Sequence, residues 1–581
     1  MKMLKTLAGS IREYKRPMIV TLVFIVLEAI VETFIPFITA NLVNRIKEGA
    51  ELGEILRHGA LLAALAIVSL ASGGIAGFSS AKSAAGFAKN LRGDVFRKIQ
   101  GYSFENIDKF SSASLVTRLT TDITHVQMSY MMLIRTAIRA PLMLIFSIAM
   151  AFFMGGALAG TFVVVIPILS VGLFLVGRFA MPAFRAVFKK YDKLNESIEE
   201  NVRGMRVVKG FSREEYEKEK FGRASDGIAA DFTKAERIVA LNTPLMQFCM
   251  YFNMIFVLLV GSKLTIESHG TLINIGHISA MLTYGVQILM SLMMLSMIYV
   301  MLTMSAQSMK RLYEVLTEEP TLAEGDAPIR EVKDGSIVFE GVSFKYSKTA
   351  TANALSSIDL SIPTGATVGI IGGTGSSKST LVQLIPRLYD VTEGRLLVGG
   401  VDVRDYDIEV LRKSVAMVLQ KNLLFAGTIE ENLRWGNENA TEEELREACR
   451  LACADEFITS FPDGYKTYID QGGTNVSGGQ RQRLCIARAL LCRPKILILD
   501  DSTSAVDTRT DAIIRKGLST YVPETTKIII AQRIASVEDA DLIVVMDGGT
   551  IRAVGTHSEL LESSDIYREV YREQTKGADE E

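Results

Sequence analysis

The stretch IIGGTGSSKST (Ile370–Thr380) nearly matches a phosphate-binding loop. The pattern G-x-x-x-x-G-K-[ST] fits Gly372, Lys378 and Ser379, but its second glycine is replaced here by Ser377. In such a loop, backbone N–H groups and the N-terminus of the next helix cradle phosphates, the lysine reaches the terminal phosphates, and the hydroxyl binds Mg²⁺. The candidate phosphate-binding residues are Gly372, Gly373, Thr374, Gly375, Ser376, Ser377, Lys378, Ser379 and Thr380.

The sequence on both sides of the loop supports this interpretation. The β-type run ATVGII precedes it and the helical pattern STLVQLIPRLY follows it, which is the context that a phosphate loop requires. The effect of Ser377 depends on its backbone conformation. A serine with positive φ costs about 1–2 kcal/mol there, whereas a serine with negative φ costs little. The sequence leaves both possibilities open.

Two further motifs lie downstream of the loop. KILILDD (495–501) is typical of a buried parallel strand, and its acidic end places Asp500 where it can hold a phosphate-bound Mg²⁺. VSGGQRQR (476–483) opens a helix with Ser-Gly-Gly, whose bare backbone donors and helix dipole suit an anion. The three motifs in this order are far more specific for a nucleotide site than any one of them alone.

The second half of the chain has the pattern of an α/β domain. From about Ile329, short β-rich runs such as SIVFEGVSFKY alternate with helical runs such as TEEELREACRLA. The polar stretch TEEPTLAEGDAP (317–328) precedes this domain and is typical of a linker.

The first half is predicted to span a membrane. Hydrophobic residues make up 48% of the 581 residues, and the excess lies almost wholly before residue 310. Several apolar runs reach the length of about 20 residues that a spanning helix needs. The predicted spans are Pro17–Leu42, Gly59–Ser80, Leu133–Met154, Ala157–Phe179, Pro244–Leu264 and His277–Thr303. The net charge of −2 gives no indication of a nucleic-acid partner.

Basic residues predict the orientation of these spans. Lysines and arginines are frequent before the first span and in the connections 81–132 and 180–243, whereas the other loops are short and hold few of them. Both termini and the nucleotide domain are therefore expected in the cytoplasm. The two long connections keep apolar residues at helical spacing, so the spanning helices are expected to continue well beyond the bilayer.

With these features, over nearly its whole length, the chain resembles a half-transporter of the ATP-binding cassette (ABC) exporter family. The resemblance implies a six-helix transmembrane domain with long intracellular helical extensions. This domain is fused to an α/β P-loop nucleotide-binding domain with an antiparallel β subdomain and a helical subdomain. The implied divisions are a transmembrane domain 1–315 with coupling loops near 101–118 and 206–220, a linker 316–335, a nucleotide-binding domain 336–575 and a polar tail 576–581.

The resemblance also assigns roles to single residues. Tyr346 matches the aromatic residue that stacks on adenine, and Gln420 matches the glutamine that senses Mg²⁺. ATP and Mg²⁺ are the implied cofactors, with Mg²⁺ held through the nucleotide by Ser379, Gln420 and Asp500. The signature Ser477, Gly478, Gly479 and Gln480 is implied to bind an ATP held by a second ABC half-transporter.

Three departures from the family pattern fall on one ATP site. The residue after Asp500 is normally a glutamate that activates water. Asp501 is one methylene shorter, and a displacement of about an ångström can cost on the order of 10²-fold in rate. The switch histidine is replaced by Gln532, which can donate a hydrogen bond but cannot carry positive charge. Ser377 is the third departure. These changes predict that the site binds Mg-ATP and hydrolyses it slowly. The site is then expected to work beside a competent site in a heterodimer, and a homodimer with slow turnover is the alternative.

The membrane half offers candidate residues for a substrate path. Glu28 and Glu32 lie one turn apart in the first span, and ionisable residues within a bilayer usually face the bundle interior or a cavity. They either form a cation-attracting patch or lie hydrated or paired near the external end. Met290, Met294 and Met297 in the last span are further candidates, because methionine surfaces adapt to varied ligands. Lipid-facing or core packing is their alternative.

The expected function is therefore ATP-driven export by alternating access. The expected cargo is an amphipathic or drug-like compound taken from the cytoplasm or the inner leaflet, with a lipid or a peptide as the alternative. The protein is expected to be a multi-pass protein of the plasma or inner membrane, in contact with membrane lipid.

Overall fold

The computed structural model describes residues 2–322, 327–347, 350–501 and 506–576, without the side chains of residues 188, 189, 192, 196, 508, 521 and 576. The chain forms two compact units. The first consists of Met1–Gly101 and Ser111–Glu318, and the second of Tyr102–Phe110 and Glu319–Glu581. Residues 323–326 of the predicted linker and 577–581 of the predicted tail lie outside the described residues.

The described part of the first unit is helical. One short helix, α4, lies among these helices in the chain but belongs to the second unit. In chain order the helices are α1 (Lys2–Ala8), α2 (Lys15–Lys47), α3 (Leu52–Gln100), α4 (Phe104–Phe110), α5 (Ser112–Thr117), α6 (Ile123–Gly155), α7 (Gly160–Arg203), α8 (Met205–Gly210), α9 (Glu214–Val239), α10 (Asn242–Glu267) and α11 (Ile275–Thr317). Each predicted span falls mainly on one of the six helices α2, α3, α6, α7, α10 and α11. The helices continue beyond the apolar runs, as the spacing in the connections predicts.

Continuous helical stretches in the described residues meet the length and hydropathy needed to cross a membrane. They are Lys2–Lys47, Leu52–Gln100, Ser112–Val187, Glu214–Glu267 and Ile275–Thr317. The third stretch contains two predicted spans, which fall on α6 and α7. These two helices are separated by a 3₁₀ segment at Gly156–Ala159. Gly156 has a φ of 48°, which glycine adopts without steric cost. The helix therefore breaks where the sequence predicts a turn.

The spanning helices pack closely through small residues and satisfied polar groups. A Cβ atom built on Gly276 would lie 2.2 Å from the carbonyl oxygen of Ala40, so only glycine allows α11 this approach to α2. The buried Tyr284 hydroxyl donates to the carbonyl oxygen of Thr33 over 2.9 Å. In an apolar interior this hydrogen bond avoids the cost of an unpaired hydroxyl.

An ion pair joins the beginning of α6 to the last turns of α11. Asp122, fully buried, accepts hydrogen bonds from Ser308 Oγ (2.8 Å) and Arg311 Nε (2.7 Å). Asp122 ends a π-helical turn that begins at Arg118. The Arg311 side chain is 37% exposed, so solvent partly screens the pair, and the contact helps to set the register of the two helices mainly through its geometry.

The second unit contains the strands. They are β1 (Ile337–Phe344), β2 (Leu355–Ile362), β3 (Thr367–Gly372), β4 (Glu393–Val398), β5 (Val401–Asp402), β6 (Val415–Val418), β7 (Gly427–Thr428), β8 (Tyr468–Ile469), β9 (Ile496–Asp500), β10 (Thr526–Ile530), β11 (Leu542–Asp547) and β12 (Thr550–Gly555). One sheet is antiparallel in the order β2-β1-β4-β5, and a larger one has the order β12-β11-β3-β10-β9-β6. In the larger sheet, all neighbours except β11 and β12 pair in parallel.

Both faces of the larger sheet are buried. Along β9, Ile496 and Ile498 belong to one apolar core, whereas Leu497 and Leu499 belong to another. A parallel sheet covered on both sides explains why KILILDD is an unbroken apolar run. The helices of this unit are α4 together with α12 (Lys378–Leu384), α13 (Ile408–Ser414), α14 (Ile429–Arg434), α15 (Glu442–Leu451), α16 (Asp455–Ser460), α17 (Gly478–Leu491), α18 (Thr508–Tyr521), α19 (His557–Ser563) and α20 (Asp565–Lys576).

Helix α4 packs on the nucleotide domain of its own chain. The Tyr389 hydroxyl donates to Asp108 Oδ2 over 2.8 Å, and the rings of Phe104 and Tyr389 lie 6.0 Å apart. Burial, with a further contribution from Asp108, raises the pKa of Tyr389, so its hydroxyl remains a donor. The Asn106 amide donates to the carbonyl oxygen of Glu319 over 3.1 Å.

Candidate nucleotide-binding site

Adjacent parallel strands bring the predicted site residues together. The order β3-β10-β9-β6 sets the carboxyl ends of these strands side by side. The phosphate loop follows β3, Gln532 follows β10, Asp500 ends β9, and Gln420 lies shortly after β6. Ligands of open α/β sheets bind outside the carboxyl ends of the strands, so the topology explains how residues distant in sequence form one site.

The phosphate loop encloses its lysine. Lys378 Nζ donates to the carbonyl oxygens of Gly372 (2.8 Å) and Gly373 (2.9 Å). Burial lowers the pKa of Lys378, partly offset by the acidic pair at 500 and 501. A Cβ atom on Gly372 would lie 2.2 Å from the carbonyl oxygen of Met546, so the first glycine of the pattern is sterically required.

Ser377 has the left-handed backbone conformation. Its φ is 68° and its ψ is 25°, immediately before the first residue of α12. Its side chain makes no capping hydrogen bond to that helix. Of the two possibilities left open by the sequence, the structure therefore selects the strained one, in which serine costs about 1–2 kcal/mol.

We expect Ser377→Gly to tighten ATP binding by this chain about fivefold, because bound phosphate would hold residue 377 at positive φ and glycine removes about 1 kcal/mol of the cost of holding it there. Equilibrium binding of a fluorescent ATP analogue to the assembled transporter measures the change. Ser357→Gly is the matched control, since Ser357 also has a positive φ, of 47°, but lies in β2. It should not alter ATP affinity. Equal affinity of Ser377→Gly and the unmodified chain would show that the strain does not oppose ATP binding.

Ser379 and Asp500 form an oxygen pair suited to Mg²⁺. Ser379 Oγ donates to Asp500 Oδ1 over 2.9 Å, and Asp500 is only 4% exposed. Burial raises the pKa of Asp500, and the neighbouring charge of Asp501 raises it further. A hydroxyl and a carboxylate are hard ligands of the type that Mg²⁺ prefers, and a bound Mg²⁺ would neutralise charge on the phosphates.

Side-chain amides surround Asp501. Its Oδ2 accepts hydrogen bonds from Gln532 Nε2 at 2.8 Å and from Gln420 Nε2 at 3.4 Å. The buried Gln482 amide donates to the backbone carbonyl of Asp501 at 3.3 Å. A carboxylate whose lone pairs already accept amide N–H groups is a weaker acceptor for a proton of water. The two replaced positions, 501 and 532, are thus direct hydrogen-bond partners.

Tyr346 lies beside the phosphate loop. Its hydroxyl is 2.9 Å from Thr380 Oγ1, and its side chain is 45% exposed, which leaves a face free for a planar base. The rings of Phe344 and Tyr389 hold it edge-on, at centroid distances of 4.9 and 5.3 Å. The stacking of Tyr346 on adenine stays a prediction.

The Ser-Gly-Gly signature forms the N-terminus of α17. Ser477 Oγ accepts the N–H of Gln480 and the Gln480 side chain accepts the N–H of Ser477, forming a capping box. The first two helical N–H groups, of Gly478 and Gly479, have no acceptor further back in the helix, which is general for helix N-termini. They line a pocket of about 420 Å³ together with Ser477, Arg483, Val506 and Asp507.

Two glutamines of the site were not predicted from the sequence. Gln482 lies within VSGGQRQR, but nothing in the motif indicates that it contacts Asp501. Gln574 donates to the carbonyl oxygen of Gln532 at 2.8 Å, from 42 residues further along the chain. Contacts of this kind depend on tertiary packing and leave no local pattern.

In the first unit, the acidic pair of the first span is paired with arginine. Arg139 Nη2 lies 2.6 Å from Glu32 Oε2 and 3.4 Å from Glu28 Oε1. This matches pairing, one of the two interpretations that the sequence left open. The predicted substrate-path methionines Met290, Met294 and Met297 are 46%, 37% and 61% exposed in the single chain.

Comparisons with known proteins agree with this arrangement. The family model described as the ABC transporter transmembrane region matches residues 18–312, and the ABC transporter model matches residues 355–504. A similar fold occurs in a bacterial Atm1-family ABC exporter solved with ATP bound, at a TM-score of 0.84 and 22% identity, over 97% of this chain and 98% of that one. The predicted fold class is confirmed.

Relatives cover the whole length of the chain. The uncharacterized ABC transporter ATP-binding protein YfiB of Bacillus subtilis (strain 168) is 36% identical over 96% of this chain and 96% of its own. The ATP-dependent lipid A-core flippase of Desulfotalea psychrophila is 32% identical over 84% of each chain. The chain therefore belongs to the ABC transporter family. More particularly, it is an exporter half-transporter, in which one membrane domain and one ATP-binding domain are fused and ATP hydrolysis drives transport.

Proposed function

We propose that this chain is the degenerate-site subunit of a heterodimeric ABC exporter. Its own phosphate loop holds Mg-ATP and hydrolyses it slowly, whereas its signature completes a fast site on the partner chain. The observation that carries the proposal is the hydrogen bond of 2.8 Å between Gln532 Nε2 and Asp501 Oδ2. Both residues that would prepare water for attack are replaced, and they bind each other.

Retention of ATP follows from the parts of the site that are intact. The backbone loop, Lys378 and the Ser379–Asp500 pair are the groups expected to contact the phosphates and Mg²⁺, and all of them keep the residue types of the family pattern except Ser377. Slow hydrolysis follows from the short, amide-bound carboxylate of Asp501, since a misplaced base loses on the order of 10²-fold in rate. The outcome is an ATP site that favours binding over turnover.

The intact signature supports a different chain as the partner. Ser477, Gly478 and Gly479 retain the cap and the exposed donors that a phosphate needs. In this family such a signature acts on ATP held by another cassette, so its integrity serves the partner's site. A homodimer would contain two impaired sites, and it remains the alternative with slow turnover.

We further propose an amphipathic or drug-like compound as cargo. The exposed methionines of α11 offer an adaptable apolar surface, and the Glu28–Glu32–Arg139 cluster supplies polar groups in the same helix bundle. The 32% identity to a lipid A-core flippase favours a lipid as the second candidate. The basic connections support a plasma or inner membrane location with the nucleotide domain and both termini in the cytoplasm.

The proposal is tested by loading the assembled transporter with 8-azido-ATP, chasing with unlabelled ATP and irradiating at intervals during the chase, because irradiation cross-links only the nucleotide that is still bound. We expect this chain to keep its label through many turnovers of the partner's site, because its nucleotide is held but seldom hydrolysed. Lys378→Ala should abolish the label on this chain and leave the partner's label in place. Lys413→Ala is the control, since this exposed lysine pairs with Glu409 outside the loop. Rapid loss of label from the unmodified chain, at the turnover rate, would contradict the proposal.

A further inference from the structure

The C-terminal helix contacts the turn that carries Gln532. Gln574 in α20 accepts the backbone N–H of Ile534 through Oε1 at 2.8 Å. Its Nε2 donates to the backbone carbonyl of Gln532, also at 2.8 Å. One side-chain amide therefore bonds two backbone groups of the turn between β10 and the 3₁₀ segment Ile534–Ser536. A paired contact of this type fixes orientation as well as distance.

The rest of α20 anchors this amide to the domain core. Tyr567 is fully buried in the core that also contains Ile534, and Val570 and Tyr571 pack against it. The Tyr567 hydroxyl lies 2.7 Å from His557 Nδ1. These residues and Gln574 recur at helical spacing on one face of α20, so the helix presents Gln574 to the turn as the polar end of an apolar stripe.

The contact continues to the ATP site. Gln532, whose backbone is held by Gln574, donates through its side chain to Asp501 Oδ2. The hydrogen bonds run from Gln574 through Gln532 to Asp501, so the placement of the Gln532 amide depends on a helix near the end of the chain. Free backbone groups in this turn would otherwise bind water, and the turn would sample other conformations.

We propose that Gln574 is a positioning residue of this ATP site, through which α20 holds Gln532 on Asp501 and so slows the release of nucleotide. The inference about release depends on the proposed function of the site. The inference about position does not, because it concerns backbone hydrogen bonds that exist without nucleotide.

Hydrogen exchange of the full-length chain in the assembled transporter tests the positional step. Gln574→Ala should raise amide exchange in the segment 531–536 at least about tenfold, because the Ile534 N–H loses its acceptor. Glu573→Ala is the matched control: this neighbouring residue is exposed, and its change should leave the segment unaffected. Unchanged exchange in Gln574→Ala would overturn the inference whatever the nucleotide does.

The functional step is tested by the same experiment, in which bound 8-azido-ATP is chased with unlabelled ATP and the remainder is cross-linked by irradiation. Gln574→Ala and Gln532→Ala should each shorten label retention about five- to tenfold, and the double variant should match the stronger single one, because both remove the same contact. Gln574→Glu keeps the acceptor for Ile534 but loses the donor to Gln532, so partial retention is expected. Additive effects, or full retention in Gln574→Ala with shortened retention in Gln532→Ala, would overturn the inference. If the unmodified chain retains no label, the proposed function fails instead, and hydrogen exchange alone decides the positional step.

Discussion

Gly478→Asp in this chain is expected to lower the ATPase rate of the assembled transporter by more than about 100-fold, which is the scale for loss of a backbone donor that stabilises a transferring group. Gly478 is the first residue of α17, and its N–H lies in the pocket that an ATP phosphate would enter. An aspartate there adds a negative charge and occupies the approach to the helix N-terminus. Steady-state ATPase activity of the transporter in lipid bilayers measures the loss.

Gln532→Ala is the comparison variant for Gly478→Asp. It alters this chain's own site and should change the rate by no more than about twofold, because little turnover passes through a site with a misplaced base. Ser477→Thr is a matched control for the signature, since threonine preserves the capping oxygen. Equal losses from Gly478→Asp and Gln532→Ala, or vigorous hydrolysis by this chain expressed alone, would contradict the heterodimer.

The double substitution Asp501→Glu with Gln532→His should restore hydrolysis at this chain's site. Glutamate moves the carboxylate forward by one methylene, and histidine can carry the positive charge that Gln532 lacks. In a transporter whose partner has lost its own catalytic glutamate, we expect the residual rate to rise about 10- to 100-fold, as recovery of about an ångström in placement allows. Single-turnover hydrolysis of radiolabelled ATP resolves this gain from the low background.

The two single substitutions are the controls for the double substitution. Asp501→Glu alone should gain less, because Gln532 Nε2, which lies 2.8 Å from the present carboxylate, still occupies one of its oxygens. Gln532→His alone leaves the carboxylate short. No gain in the double variant would show that another feature, such as the strained Ser377, limits hydrolysis at this site.

The sequence was sufficient for the fold because its signals are local. The apolar runs predict the spanning helices by length, and β3, β9 and the phosphate loop follow from strand and glycine patterns. The phosphate loop, Asp500 and the signature could be identified because each lies in a short contiguous motif. The conformation of Ser377 did not follow, since serine at that position is compatible with either sign of φ.

Side-chain pairing beyond these motifs required the structure. Gln532 and Asp501 were recognised as separate departures, but their mutual hydrogen bond depends on the pairing of β10 with β9. Arg139 and the two glutamates of α2 lie more than a hundred residues apart, so their ion pair has no sequence signal. In these cases, tertiary geometry decides which of several chemically reasonable partners is used.

Helix α4 also limits how the nucleotide domain can be studied in isolation. This helix belongs to the same compact unit as residues 319–581, although it lies between two membrane-spanning helices in the chain. A soluble fragment that starts at residue 319 would lack the acceptor of the Tyr389 hydroxyl and the ring of Phe104. Tyr389 contacts Tyr346, so nucleotide affinities measured on such a fragment would describe a domain in which the surroundings of Tyr346 are altered. The compact unit that contains the cassette is thus discontinuous in the chain, and a fragment that reproduces these contacts must include residues 102–110.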